Sequence, residues 1–133
     1  MSVLLDTHLW IWWVTGQDRL TRRERISLGE VSADGALHIS AISLWEAQML
    51  HARGRLELSH AFEPWILAAS SPEIVEVIPL DVSVILALDR LPASFAGDPA
   101  DRIIVATARS REMDLATKDD RIRKSRLIRL WSP

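Results

Sequence analysis

The chain has 133 residues, 48% of them hydrophobic and 26% charged, with a formal net charge of −2. This is the make-up of one folded domain spanning 1–133, and it excludes a disordered chain, a collagen and a membrane protein, since no apolar run approaches the roughly 20 residues of a spanning helix. Cysteine is absent, which excludes disulfides and thiolate metal sites, and the acidic start at Asp6 lacks the basic and apolar regions of a secretory signal, so the cytoplasm is the expected address.

Val3-Leu4-Leu5 predicts a short buried strand. Asp6 to about Gly16 reads as a helix, capped by Asp6 or Thr7 and closed by Gly16. A second helix runs from Thr21 to about Ser32, and Ala33-Asp34-Gly35 turns the chain into a strand at Leu37–Ser40. Ser43 to Arg53 is helical, with Leu44, Ala47 and Leu50 at helical spacing and Gly54 at its end. A helix from His60 to about Ser71 stops before Pro72, a strand follows at Ile74–Ile78, and Val82 to Leu91 is a helix stopped by Pro92. Pro99 to Arg111 is the clearest helix. Leu115–Thr117 reads as a strand, Asp120–Ser125 as a short helix and Leu127–Leu130 as a closing strand. Strands separated by helices predict an α/β three-layer sandwich, with a mostly parallel sheet of about five strands between helices.

Parallel sheets bind ligands beyond the carboxyl ends of their strands. Asp6 follows the first strand, Glu46 lies in the first turn after the second, Asp98 and Asp101 open the long helix, and Asp119 follows the fourth strand. Each has an alternative, purely structural reading. Asp6, Asp98 and Asp119 suit helix N-caps, Ser43-x-x-Glu46 suits a capping box, and Asp101 suits the positive end of a helix dipole. Capping, however, does not call for an acid after nearly every strand, because Ser, Thr and Asn serve as well. Like-charged carboxylates at about 4 Å repel by about 4 kcal/mol at an effective dielectric of about 20. A hard cation, Mg²⁺ with Mn²⁺ as substitute, relieves that repulsion and suits oxygen ligands.

Thr7 and Thr117 flank candidate acids and can orient a carboxylate, while Arg102 can steady Asp101 or reach a phosphate. Two basic clusters stand out. One contains Arg22 and Arg23; the other contains Lys118, Arg121 and Arg123. Each suits an RNA backbone and equally suits a solvated face. Six tryptophans and no tyrosine are unusual.

These motifs together resemble those of a known family. Leu4-Leu5-Asp6-Thr7-His8, Ser40-Ala41-Ile42-Ser43-Leu44-Trp45-Glu46, Gly97-Asp98-Pro99-Ala100-Asp101-Arg102 with the helix after it, and Leu115-Ala116-Thr117-Lys118-Asp119 follow in order along nearly the whole chain. The chain resembles PIN-domain ribonucleases of the VapC toxin type. It departs from many relatives at Ala100, where they carry an aromatic, and at Gly97, where they carry His or Arg.

The resemblance implies that Asp6, Glu46, Asp101 and Asp119 line a metal site. Asp6 and Asp101 would be direct ligands, Glu46 and Asp119 would act directly or through water, and Asp98 would be an additional ligand or a cap. It implies an endoribonuclease that hydrolyses tRNA, rRNA or mRNA to 5′-phosphate and 3′-hydroxyl ends. It also implies a homodimer and a cognate VapB-type antitoxin that carries any DNA binding. The Trp10–Trp13 segment and the helix around Trp65 are the candidate antitoxin surfaces. The alternative is a catalytically silent PIN-like module that binds protein or RNA. Phosphorylation receivers and haloacid-type phosphatases need acidic patterns that Asp6-Thr7-His8 does not supply.

Overall fold

The structure is a computed structural model that describes residues 1–95 and 97–133. The elements, in chain order, are β1 (Val3–Leu5), α1 (Thr7–Thr15), α2 (Arg22–Ala33), β2 (Leu37–Ser40), α3 (Ala41–Ala52), α4 (Phe62–Ala69), β3 (Glu76–Ile78), α5 (Val82–Asp89), α6 (Pro99–Arg111), β4 (Asp114–Ala116) and α7 (Asp120–Ser125). The four strands form one parallel sheet in the order β3-β2-β1-β4. No helix among the described residues is long and apolar enough to cross a membrane.

Alternation along β1 divides the core. Val3 and Leu5 face one side of the sheet and Leu4 the other, as the twofold strand period requires. The first side packs on α1, α2 and α4 through Trp10, Leu28 and Ala69. The second packs on α5 and α6 through Val84, Ile104 and Ala108. Both faces of β1 are thus buried, which is why it reads as an unbroken apolar run. Trp10 is completely buried, and its indole Nε1 donates to the Ala69 carbonyl at 2.9 Å, joining α1 to the end of α4. Burial of an apolar side chain of this size contributes about 3 kcal/mol, and the hydrogen bond removes the cost of hiding the N–H.

Three expectations change. Leu127–Leu130 is not a strand but a single bridge from Leu130 to Leu115, made by the Leu115 amide on Arg129 O and the Trp131 amide on Leu115 O, both at 2.9 Å. Arg126 leaves α7 in the left-handed region at φ 59, and the chain meets the outer edge of β4 at one residue only. The sheet therefore has four strands. Helix α3 starts at Ala41 with Ser40 as its cap, so Ser43 is not a cap and Ser43-x-x-Glu46 is not a capping box. The strand expected from Ile74 begins at Glu76, because the Ile74 and Val75 amides both donate to Ser71 O in a turn.

Candidate active site

The parallel strands deliver their acids to one edge of the sheet. Asp6 caps α1, its Oδ1 accepting from the Leu9 amide at 2.8 Å. Asp98 caps α6 through Oδ1 and the Asp101 amide at 2.7 Å. Asp119 caps α7 through Oδ1 and the Ile122 amide at 3.0 Å. Capping and clustering, which are alternatives in the sequence, coexist here. One oxygen of each carboxylate is tied to a helix N-terminus, whose positive end favours the charge and fixes its direction.

Hydroxyl groups orient the two most buried acids. Thr117 Oγ1 donates to Asp6 Oδ2 and accepts from the Asp119 amide at 3.1 Å, so one side chain links the ends of β1 and β4. Thr7 Oγ1 donates to Glu46 Oε1 and lies 2.8 Å from Ser43 Oγ. With the Thr7 proton committed to Glu46, Ser43 is the donor to Thr7, and a relay runs from Ser43 through Thr7 to Glu46. Thr7, Ser43 and Glu46 are all buried.

A cavity of about 320 Å³ is lined by Asp6, Glu46, Asp98, Asp101 and Asp119, with Thr7, His8 and Lys118 beside them. Its electrostatics are those of a crowded acidic pocket. Burial first, then the charges of Asp98, Asp119, Glu46 and Asp6, push the Asp101 carboxyl up to about 7. Burial also raises Asp6 against the opposing hydrogen bonds from Thr117 and Leu9, and raises Glu46 against the bond from Thr7. Ionising Asp101 at neutral pH is therefore opposed until a proton or a cation offsets its neighbours. Among the described residues no three acids form a ready-made metal cage; they line the cavity without closing on a common point. Their chemistry fits a hard divalent cation, for they offer only oxygen donors and excess negative charge.

The other sequence candidates divide. Thr7 and Thr117 stand at the site. Lys118 lines the cavity, but its ammonium pairs with Glu24 and donates to Arg19 O, both at 3.0 Å. Arg123 donates to Thr117 O at 3.0 Å and so braces the end of β4. Arg102 turns to the Phe95 carbonyl and lies over the Phe95 ring, bracing the chain before α6 rather than meeting Asp101. Arg22, Arg23 and Arg121 are exposed and do not line the cavity. Asp120 is exposed in the first turn of α7.

Ser43 and Glu24 are functional neighbours that the sequence did not single out as such. Ser43 shares a helix face with Glu46 three residues on, a signal absorbed by the capping-box pattern. Glu24 has only a local signal, its capping box with Thr21, whose amide donates to Glu24 Oε1 at 2.8 Å. Its tie to Lys118 joins residues 94 apart in sequence and has no local signature.

The PIN domain family model matches residues 3–126. The chain belongs to the PIN-domain family. Within it, the chain is 34% identical over 125 residues to Ribonuclease VapC22 of Mycobacterium tuberculosis, a match covering 94% of this chain and 92% of the relative. The PIN fold also recurs in solved structures. The VapBC2 structure from Rickettsia felis, bound to a DNA fragment of its promoter, matches with a TM-score of 0.74 at 14% identity, covering 98% of both chains. DNA-bound VapBC from Salmonella typhimurium matches with a TM-score of 0.71 at 19% identity, covering 98% of this chain and 97% of that one. The PIN acids expected from the motifs are those that share the cavity.

Proposed function

We propose that this PIN domain is a metal-dependent endoribonuclease, the toxin of a VapBC-type pair, active on RNA with Mg²⁺ or Mn²⁺ and held in check by a VapB-type antitoxin. The observation that carries the reading is the convergence of Asp6, Glu46, Asp98, Asp101 and Asp119 on one cavity at the carboxyl edge of the sheet. The likeness to Ribonuclease VapC22 supports RNA as the substrate. The VapBC neighbours support the antitoxin partner, which would carry the contact with DNA. In this reading the chain acts as a single-domain homodimer in the cytoplasm.

Asp6 and Asp101 are the proposed principal ligands, with Asp98, Glu46 and Asp119 completing the acidic wall. When bound, the cation supplies Lewis-acid activation of the phosphate and a lowered pKa for an attacking water. Thr117 keeps Asp6 in one orientation through Oδ2. Ser43 and Thr7 hold Glu46, whose raised affinity for a proton suits it to accept one as water attacks. The apolar cavity of about 230 Å³ between Trp13, Val14, Trp65 and Ile74 supports antitoxin docking on α1 and α4, where the buried Trp65 Nε1 has no hydrogen-bond partner.

The test is cleavage of labelled total RNA by the purified protein in Mg²⁺ or Mn²⁺, beside Asp6→Asn prepared identically. Discrete fragments from the wild type alone support the nuclease, and mapping their ends identifies the target. Absence of cleavage by both, with no Mn²⁺-dependent shift in melting temperature, selects the silent binding module instead.

A further inference from the structure

The carboxylate cavity does not end at His8. His8 and Trp12 also wall a second cavity of about 390 Å³, whose far side carries Gln17, Arg19, Arg55 and Leu56. We propose that this second cavity is a nucleotide subsite, which takes the unpaired base and the phosphate next to the scissile bond of a single-stranded RNA. The proposal rests on the nuclease reading above and says how that same site holds its substrate.

The chemistry of the wall points to a base. The Trp12 ring is half-buried; the Arg19 guanidinium carbon lies 5.5 Å from its centroid and the His8 ring 5.9 Å away, inclined by 52°. Indole, imidazole and guanidinium are the side chains on which unpaired bases stack. Gln17 and Glu57, in the same cavity, offer an amide and a carboxylate to the polar edge of a base.

The charges point to a phosphate. RNA entering a pocket of five carboxylates is repelled unless cations stand at its mouth. Several nearby cations are already occupied: Lys118 pairs with Glu24 at 3.0 Å, Arg111 with Asp81 at 2.7 Å and Arg129 with Asp114 at 2.9 Å. Among the described residues, Arg19 and Arg55 are in no ion pair, and both are exposed.

Both arginines are tied to the elements that carry the acids. The Arg19 carbonyl accepts from Lys118 Nζ at 3.0 Å, one residue before Asp119. Arg55 follows Gly54, whose left-handed turn at φ 66 closes α3, the helix of Glu46, and the Arg55 amide donates to Leu50 O at 2.8 Å. The subsite and the acidic wall therefore keep a set spacing, as a cut at a defined position along a strand requires.

The experiment follows binding of a fluorescein-labelled, mixed-sequence single-stranded oligoribonucleotide of about ten nucleotides to the Asp6→Asn protein across a salt series. Arg19→Gln and Arg55→Gln are each expected to weaken binding about tenfold. The double substitution should also flatten the slope of log K against log salt by about 1.4, about 0.7 for each lost phosphate contact. With Asp6 intact, KM for cleavage should rise while kcat stays within about twofold, since neither arginine touches the carboxylates. Trp12→Phe should keep affinity and Trp12→Leu lose it, with melting curves confirming that both fold. An unchanged affinity and salt slope in the double variant overturns the subsite while leaving the nuclease standing. Loss of antitoxin inhibition with RNA binding intact would assign the cavity to a protein partner and overturn it equally. Failure of the parent chain to bind or cut any RNA removes the nuclease reading, and the subsite with it.

Discussion

The Thr117 hydroxyl donates to Asp6 Oδ2 across 111 residues of sequence, joining the ends of two adjacent parallel strands. Asp6 is 7% exposed and Thr117 3%, so water does not replace this bond if it is lost. Thr117→Val preserves shape and removes the donor. Loss of the hydrogen bond that opposes burial should raise the Asp6 pKa further. Mn²⁺ affinity or cleavage rate should fall about 10- to 100-fold, the usual cost of losing a group that orients a metal ligand. Titration calorimetry with Mn²⁺, read beside cleavage rates, checks this, and unchanged affinity and rate would remove Thr117 from the site.

The relay from Ser43 through Thr7 to Glu46 predicts unequal losses at its two hydroxyls. Ser43→Ala leaves Thr7 still able to donate to Glu46, and should cost about 1 kcal/mol of stability with a small loss of activity. Thr7→Val strips both neighbours of a partner, including a buried carboxylate, and should cost more on both counts. Urea denaturation and cleavage rates for the two variants give the comparison. Equal effects would mean that Ser43 and Thr7 do not act in series.

The Asp101 carboxyl, pushed up to about 7 from an ordinary 3.8, makes the stability of the metal-free protein depend on pH. The folded state binds this proton more tightly than the unfolded state. The resulting stability is full below the unfolded value and is lost as pH rises through about 7. Asp6 and Glu46, both also raised, act with the same sign. In EDTA the melting temperature should therefore fall between pH 5.5 and pH 8, and Asp101→Asn should flatten that fall. Mn²⁺ should restore stability most at the alkaline end, because it binds the ionised acids. A metal-free melting temperature that rises with pH over this window would contradict the arrangement.

Gly97 stands against the same acid. A Cβ there would lie 3.3 Å from Asp101 Cβ and 3.6 Å from the Phe95 ring. Gly97→Ala therefore displaces Asp101 by a few tenths of an ångström. Since a misplacement of about 1 Å can cost about 10²-fold in rate, a several-fold fall in kcat is expected, with the fold intact. Steady-state cleavage kinetics and a thermal melt separate the two effects; wild-type kcat would show that the neighbours yield freely.

Local grammar was legible without coordinates. Asp6 and Gly16 bracket α1, Thr21 and Glu24 open α2 with a capping box, and Asp98-Pro99 opens α6, because caps and breakers act on backbone groups a few residues away. Element order and the acids after the strands followed from the same signals, and the alternation of strand and helix was enough for a parallel sheet. Less legible were features settled by competition between distant parts. Leu127–Leu130 has the apolar pattern of a strand, yet the chain leaving α7 reaches β4 at one residue. Ser43 has the spacing of a cap, yet Ser40 takes that role and leaves Ser43 to Thr7.

By itself, the sequence determined which residues carry the chemistry: five acids, two threonines and the helices and strands that hold them. Tertiary structure alone decided their relations. It set Thr117 on Asp6 and Thr7 on Glu46, occupied Lys118 with Glu24, turned Arg102 to Phe95, and left Arg19 and Arg55 beside Trp12. The reason is one of range. Capping and periodicity are short-range consequences of backbone geometry, whereas a carboxylate's pKa, a hydroxyl's partner and an arginine's freedom depend on charges and donors brought near only when the sheet is assembled.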